Sequence, residues 1–297
     1  MELWIPITIA AAFFQNLRFM LQKHLKGTLS TMGVTFSRFV FAAPLAWGVV
    51  ALLMLREGAV FPRITGAFVI YGGIGAIAQI VATAMLVALF SLKNFAVGVT
   101  FSKTETVMTA LLSAAILAEP VSGGAWIAIF VTVAGVIAMS GLPSRDNLAA
   151  GIFGRAAAIG IGSGIIFSMA SIGYRGASLG LGSGDFLIRA ALTLAVVTTF
   201  QTAVMALWLA WREGGEILRV LRAWRIAAWV GLTGMLGSLG WFTAFTLQNA
   251  AYVKALGQIE LVFTILASVF FFRERISRFE ALGIGLIATG ILLLLLV

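Results

Sequence analysis

The sequence predicts an all-α integral membrane protein of ten transmembrane helices, arranged as two inverted five-helix repeats. Composition is the first ground for this. The 297 residues are 61% hydrophobic and 10% charged, whereas a soluble domain is about half apolar and about a quarter charged. Uninterrupted apolar runs are the second. Residues 65–92 and 281–297 carry no charge, and a helix needs roughly 20 apolar residues to cross a bilayer. The third ground is that the two halves of the chain repeat each other at a fixed shift.

Taken in order, the expected spans are 3–22, 31–55, 65–91, 95–117, 122–141, 151–177, 185–210, 226–248, 252–272 and 279–297. The joints between them carry turn or charge signals: Lys26-Gly27, Glu57-Gly58, Lys93-Asn94, Glu119-Pro120, residues 143–147, 182–184, 213–225 and 273–278. None is long enough for a soluble catalytic or ATP-binding domain. The first stretch has neither the basic region nor the small-residue cleavage site of a secretory signal, so it reads as a retained span. Gly231, Gly234, Gly237 and Gly240 recur in span 8, and Gly160, Gly162 and Gly164 crowd span 6. Small residues let membrane helices approach closely. Trp4, Trp126, Trp208, Trp211, Trp224 and Trp229 fall near span ends, where an aromatic belt sits. Trp47 and Trp241 lie deeper and read as candidates for a cavity wall.

Writing 94–138 above 249–293 aligns the two copies without gaps at a shift of 155 residues. Asn94/Asn249, Ala96/Ala251, Glu105/Glu260, Val107/Val262, Thr109/Thr264, Leu111/Leu266, Ser113/Ser268, Glu119/Glu274, Ser122/Ser277, Ile129/Ile284 and Gly135/Gly290 are identical. Apolar matches arise by chance in such helices; matched carboxylates do not readily. Arg38 and Arg189 form a weaker echo. The repeats divide the chain at 1–148 and 149–297. Five spans is an odd number, so the second copy enters the membrane from the opposite side. Secondary transporters use this arrangement, with substrate bound near the midplane between the halves.

Several function classes fall away. The chain has no cysteine, which removes disulfides, cysteine-ligated zinc and thiol chemistry. Its single histidine, His24, lies beside Lys23 and Lys26 and reads as a solvated helix-end residue. The net charge of +9 belongs to inter-span joints facing lipid headgroups, with no nucleic-acid motif. Most joint charge lies on one face: Lys23, Lys26, Lys93, Arg145, Arg155, Arg212, Arg219, Arg222, Arg225, Arg273, Arg275 and Arg278. The face holding the termini has little beyond Arg56 and Arg63. The positive-inside rule then puts the basic face in the cytoplasm and both termini outside.

Arg18, Arg38, Lys103, Arg175, Arg189 and Lys254 lie within expected spans, as do Glu105 and Glu260; Asp185 and Glu280 sit at span starts. A charge at the bilayer centre costs at least about 2.5–3.5 kcal/mol, so each is a functional-site candidate. One reading pairs Arg38 with Glu105 and Arg189 with Glu260 as structural ion pairs. The other has Glu105 or Glu260 titrate and couple transport to a proton. Lys103 and Glu105 are two apart, so they point about 200° apart on a helix and cannot both face one cavity squarely. Lys254 and Gln258, four apart, share a face. The expected substrate contacts are Gln15, Asn16, Gln79, Ser102, Trp241, Lys254 and Gln258, a set suited to a zwitterionic or amphipathic small molecule.

The stretch Ala251-Tyr-Val-Lys-Ala-Leu-Gly-Gln-Ile-Glu-Leu-Val-Phe-Thr-Ile-Leu-Ala-Ser-Val-Phe-Phe-Phe-Arg-Glu-Arg-Ile-Ser, with Ala281-Leu-Gly-Ile-Gly-Leu-Ile-Ala-Thr-Gly after it, resembles the C-terminal half of an EamA-type repeat. So does the copy from Asn94 through Ser140, including Ala118-Glu119-Pro120. That family belongs to the drug/metabolite transporter superfamily, and the resemblance covers nearly the whole chain. It implies a secondary carrier without ATP hydrolysis or cofactor, often an exporter of amino acids. Within the family the sequence is similar to aromatic amino acid exporters of the YddG type. The family implies cytoplasmic termini, opposite to the charge count. EamA repeats often place a proline after the embedded glutamate. Thr106 and Leu261 stand there instead, so the helix break such a proline gives is not expected.

The resulting expectation is a multi-pass inner-membrane exporter of small metabolites, amino acids first, working by alternating access. Its cavity would be lined by spans 1, 3, 4, 6, 8 and 9, and its partners would be substrate, the bilayer and a candidate proton, with a monomer or an oligomer both open. The alternatives are a carrier of nucleotide sugars, lipids or cationic drugs; a channel; and an intramembrane lipid-modifying enzyme. An enzyme would need an acidic metal cluster or a nucleophile–base pair, and no Asp-rich motif is present.

Overall fold

The computed structural model of the chain describes residues 2–57, 61–89, 102–139, 155–263 and 278–296. The described elements are α1 (Trp4–Leu25), α2 (Thr31–Glu57), α3 (Gly66–Leu89), α4 (Glu105–Leu117), α5 (Gly123–Met139), α6 (Arg155–Leu179), α7 (Phe186–Arg212), α8 (Glu216–Arg222), α9 (Trp224–Leu247), α10 (Ala250–Gly257) and α11 (Arg278–Leu295). Helix occupies part or all of every expected span. Among the described residues, α1, α2, α3, α6, α7 and α9 are the six long and apolar enough to cross a membrane, and α4, α5 and α11 are shorter apolar helices. Lys93, Asn94, residues 143–147, and Arg273, Glu274 and Arg275 lie outside the described residues. So does the side chain of Glu280.

One joint differs from expectation. Residues 213–225 read as a connection, yet α8 forms inside it. Its residues are anchored by long-range contacts: Glu216 is buried and accepts from the Ser30 backbone N–H at 2.6 Å, and from Arg219 Nη1 at 2.8 Å. Ser30 Oγ also donates to Glu213, and Arg219 Nη2 to the Thr28 carbonyl at 2.5 Å. These bonds tie the joint after α1 to the joint after α7. A second set ties the joint after α2 to the joint after α6: the Gly182 N–H donates to the Arg63 carbonyl at 2.9 Å and Thr65 Oγ1 to the Gly180 carbonyl at 2.5 Å. Helix α2 therefore runs from the first end of the bundle to the second, and α7 from the second to the first.

The extensive helix contacts come in matched sets. Helix α3 packs along α6, and α1 along α9. Helix α4 meets α6, and α10 meets α1. Helix α2 crosses α7, α5 lies against α11, and α4 touches α10. Exchanging α1 to α5 for α6, α7, α9, α10 and α11 maps these contacts onto one another. The aligned glycines show it at atomic scale. A Cβ on Gly135 would lie 2.8 Å from the Gly283 carbonyl oxygen, and one on Gly290 would lie 2.9 Å from the Ala128 carbonyl oxygen. The matched pair thus holds reciprocal positions at one α5–α11 crossing. Gly135→Leu and Gly290→Leu should each push these helices apart and lower stability by about 1–3 kcal/mol, the usual range for overpacking. Thermal unfolding in detergent measures this; an unchanged midpoint for both would contradict the close crossing.

Apolar residues are sorted as a bilayer requires. Ala11, Ala12, Ala190, Ala191 and Ala195 are fully buried, while Leu55, Leu207, Trp211, Ile70 and Val69 stand exposed. Small residues inside allow close helix approach, and large apolar side chains outside meet lipid. Thr8, Thr109, Thr132, Thr193 and Thr243 each donate to the carbonyl four residues back, so their hydroxyls are satisfied without water. Ala118 ends α4 in the left-handed region at φ 52°. Ala118→Gly relieves that strain and should stabilise the protein by about 1 kcal/mol, measured by the same unfolding assay.

Candidate functional site

The site forms where α4 and α10 meet. Each of these segments is interrupted just before its acid, Glu105 or Glu260, the pair matched by the repeat. Residues 103–104 form a turn before α4, and Gln258 forms one between α10 and the helical residues 259–263. The Thr106 N–H donates to the Lys103 carbonyl at 3.2 Å, and the Leu261 N–H to the Gln258 carbonyl at 3.0 Å. These two bonds coincide under the 155-residue shift. The absence of proline after Glu105 and Glu260 led to an expectation of unbroken helix. The structure corrects it: the break lies ahead of each acid and is made by a three-residue hydrogen-bonded turn, which requires no proline.

Helical geometry on either side of this turn does not carry through it. That is why Lys103 and Glu105 join one cluster, against the expectation that they would face apart. Lys254 Nζ pairs with Glu105 Oε1 at 2.6 Å, and Lys103 pairs with Glu260. The lysine side chains are each 12% exposed, and those of Glu105 and Glu260 are 14% and 7% exposed. Each lysine of one half thus meets the carboxylate of the other. Gln15 on α1 donates to Glu260 Oε2 at 2.5 Å, and Ser171 on α6 to Glu105 Oε1 at 3.3 Å. Gln258 Nε2 donates to Thr106 Oγ1 at 2.8 Å and to the Lys254 carbonyl at 3.2 Å.

Aromatic rings floor the cluster. Lys254 Nζ lies 4.7 Å from the Trp241 ring centroid and 5.6 Å from that of Phe245. The two rings stack at 5.9 Å. An ammonium over aromatic faces keeps part of its solvation when water is excluded. Gly257 leaves room for the Trp241 ring, since a Cβ there would sit 3.0 Å from Cζ3. Gly164 does the same for backbone: a Cβ there would lie 2.7 Å from the Ser102 carbonyl oxygen, so α6 can lie against the turn that carries Lys103.

Of the expected contacts, Gln15, Trp241, Lys254 and Gln258 come together here with Glu105 and Glu260, and buried Ser102 begins the turn. Gln79 goes elsewhere: its Oε1 accepts from Tyr174 Oη at 2.7 Å and from Gln201 Nε2 at 3.0 Å. Asn16 is half-buried on α1 and stays outside the cluster among the described residues. Trp47 is 39% exposed and bonds Thr199.

The expected arginine pairs are not formed. Arg38 donates to Thr83 Oγ1 at 3.1 Å and Ser238 Oγ at 3.2 Å, and Arg189 Nε to the Ser178 carbonyl at 2.8 Å. The two lysines reach the glutamates because the turns place them there, whereas Arg38 and Arg189 sit on helices directed at other neighbours. Arg175 forms a fork with Glu119, Nε to Oε2 at 2.6 Å and Nη2 to Oε1 at 2.7 Å, and its Nη1 donates to the Gln248 and Phe245 carbonyls. Asp185 caps α7, accepting from the Leu187 and Ile188 N–H groups at 2.8 and 2.9 Å. Lys103, Thr106, Ser171 and Phe245 were missing from the expected site. Only the placement of Lys103 two residues before an embedded acid could have pointed to it.

With this geometry in view, the sequence model of the EamA-like transporter family matches residues 2–141 and again residues 154–296. The chain belongs to the EamA-like transporter family. This EamA-like transporter is 32% identical over 114 residues to a protein of Sinorhizobium sp. named "Uncharacterized transporter in cobO 3'region", a match covering 38% of this chain and 77% of that one. A solved crystal structure 16% identical in sequence shares its fold, with a TM-score of 0.70 over 99% of this chain and 97% of the other. The family and the relative's name point to a membrane transporter rather than an enzyme, and multiple apolar helices fit that reading.

Proposed function

We propose that this EamA-like transporter is a secondary carrier that exports small metabolites, amino acids with aromatic or other hydrophobic side chains first, across the inner membrane by alternating access. The observation that carries this reading is the reciprocal arrangement of Lys103–Glu260 and Lys254–Glu105 at the breaks of α4 and α10. A pair of buried ion pairs, each joining one half to the other, is a latch: it holds one state and must loosen before the halves can rock. Inverted halves, 1–148 and 149–297, are supported by the antiparallel course of α2 and α7, by the interchangeable helix contacts and by the two family matches. The Trp241–Phe245 stack beside Lys254 and Gln15 beside Glu260 offer an apolar wall and a neutral donor, chemistry suited to an amphipathic zwitterion. Glu105 and Glu260 are the coupling candidates, since protonating either would release its lysine.

Uptake of labelled amino acids into proteoliposomes, with and without a pH gradient, tests this. Saturable uptake of hydrophobic amino acids that a pH gradient drives, and that loses its gradient dependence in Glu105→Gln or Glu260→Gln, is the expected result. Transport of a nucleotide sugar with no amino acid moved would overturn the substrate assignment. Full gradient dependence in both variants would overturn the coupling role.

A further inference from the structure

A second charged cluster lies apart from the Lys–Glu latch, on the first half of the chain. Arg18 on α1 is 3% exposed and Arg38 on α2 is 4% exposed. Their side chains converge across α9: a Cβ on Gly234 would lie 3.3 Å from Arg38 Cγ and 3.5 Å from Arg18 Cδ. Both side chains therefore flank one point on α9, and like charges held this close in a buried setting repel each other. Arg38 is bonded to neutral hydroxyls, Thr83 and Ser238, and Arg18 lies over the Phe19 ring at 4.6 Å. Among the described residues neither has a carboxylate within ion-pair distance. One turn beyond Arg18, Gln22 is fully buried, and both its side-chain Nε2 and Oε1 lack a hydrogen-bond partner, as does Arg18 Nε.

Buried charges in proteins are paired or coordinate a ligand, and buried amides are hydrogen-bonded. Two neighbouring guanidiniums without a counter-charge, beside an amide with free donors, break both rules at one place. We propose that Arg18, Arg38 and Gln22 form an anion site, and that it receives the carboxylate of the transported molecule. The assignment to substrate rests on the carrier reading above; the anion chemistry does not. A guanidinium binds a carboxylate through paired N–H donors, and Gln22 Nε2 adds a neutral donor to the same oxygens. An anion between the two guanidiniums attracts both and offsets their mutual repulsion. The carrier would thus select molecules bearing a free carboxylate over their amides, while Trp241 and Phe245 select an apolar side chain.

The test uses purified full-length protein in detergent, with thermal stabilisation as the readout and acetate, benzoate, phenylalanine and phenylalaninamide as probes. Acetate, benzoate and phenylalanine are expected to stabilise the protein in a saturable way and the amide to do nothing. Arg18→Gln should weaken the response about thirtyfold or more, the loss expected when one partner of a buried charged hydrogen bond is removed. Gln22→Leu gives up no bond that the protein makes, so it should fold normally and bind the probes more weakly. Arg225→Gln, an exposed change outside the cluster, should bind as the unaltered protein does. Arg18→Lys keeps the charge and guards against simple misfolding. Equal stabilisation by phenylalanine and its amide, or unchanged binding in both Arg18→Gln and Gln22→Leu, would overturn the site. Inorganic phosphate run in parallel separates a carboxylate site from a general phosphate site; preference for phosphate would overturn the carboxylate assignment. If benzoate binds as expected but no amino acid is transported in proteoliposomes, the carrier's substrate reading fails while the anion site stands. Amino acid transport that is indifferent to Arg18→Gln gives the reverse outcome.

Discussion

Glu105→Gln should leave the Lys254 ammonium without its carboxylate in a dry aromatic setting, and both stability and transport should fall. The pair is 2.6 Å apart with both side chains mostly covered. Removing one member of such a pair costs about 3–5 kcal/mol, because the remaining charge is still desolvated. The cation–π contacts to Trp241 and Phe245 offset only part of that loss, each being about 0.5–2 kcal/mol. The companion variant Glu105→Gln with Lys254→Met removes both charges and should recover most of the stability, since no unpaired charge remains. Transport should not recover. If the pair is a working latch, the doubly neutral protein folds but moves substrate at least about a hundredfold more slowly, the rate counterpart of roughly 3 kcal/mol. Unfolding midpoints and initial uptake rates on the unaltered protein and the two variants separate the two effects. Full transport by the stable double variant would make the pair a purely structural brace.

Arg175→Ala is the second large effect, and it acts on stability alone. One guanidinium joins three segments: the end of α6, the Glu119 turn after α4, and the end of α9 through the Phe245 and Gln248 carbonyls. Each hydrogen bond to a charged group contributes about 1.5–3 kcal/mol, so loss of the whole fork should cost at least about 3 kcal/mol. Arg175→Lys should recover little, because an ammonium cannot match the planar two-pronged geometry. Adding Glu119→Gln to Arg175→Ala should restore part of the loss by removing the stranded carboxylate. Denaturant unfolding in mixed micelles measures all of these, and a midpoint for Arg175→Lys equal to that of the unaltered protein would contradict the fork's role.

The membrane fold was readable because its signal is redundant. Each apolar run of about twenty residues points to the same kind of element, and among the described residues α1, α2, α3, α6, α7 and α9 follow their runs within a few residues. The repeat was readable where it carries rare residues, Glu105/Glu260 and Gly135/Gly290, and both pairs occupy matched places in three dimensions. The pairing of charges was not readable. Arg38 and Glu105, or Arg189 and Glu260, are sensible partners by span and by repeat, but pairing depends on helix rotation, and the rotation is reset by the turns at Lys103 and Gln258. Those turns carry no proline or glycine signature of their own at the turning residue. Lys103 also has no lysine counterpart in the second repeat, where Gln258 stands, and Lys254 aligns with Val99. The two cross-pairs therefore restore a symmetry that the aligned sequences lack. Asp185 and Asn249 illustrate the opposite limit: polar residues at span ends that look functional and are helix caps, with Asn249 Oδ1 accepting from the Ala251 N–H at 2.8 Å.

The central claim is that two halves, locked by Lys103–Glu260 and Lys254–Glu105, expose one site alternately to each side. Counterflow in proteoliposomes tests it most directly. Vesicles loaded with a high concentration of unlabelled phenylalanine should take up trace labelled phenylalanine transiently above its equilibrium level, and Glu105→Gln with Lys254→Met should abolish that overshoot. A flux that rises linearly with concentration and shows no overshoot in the unaltered protein would contradict the claim.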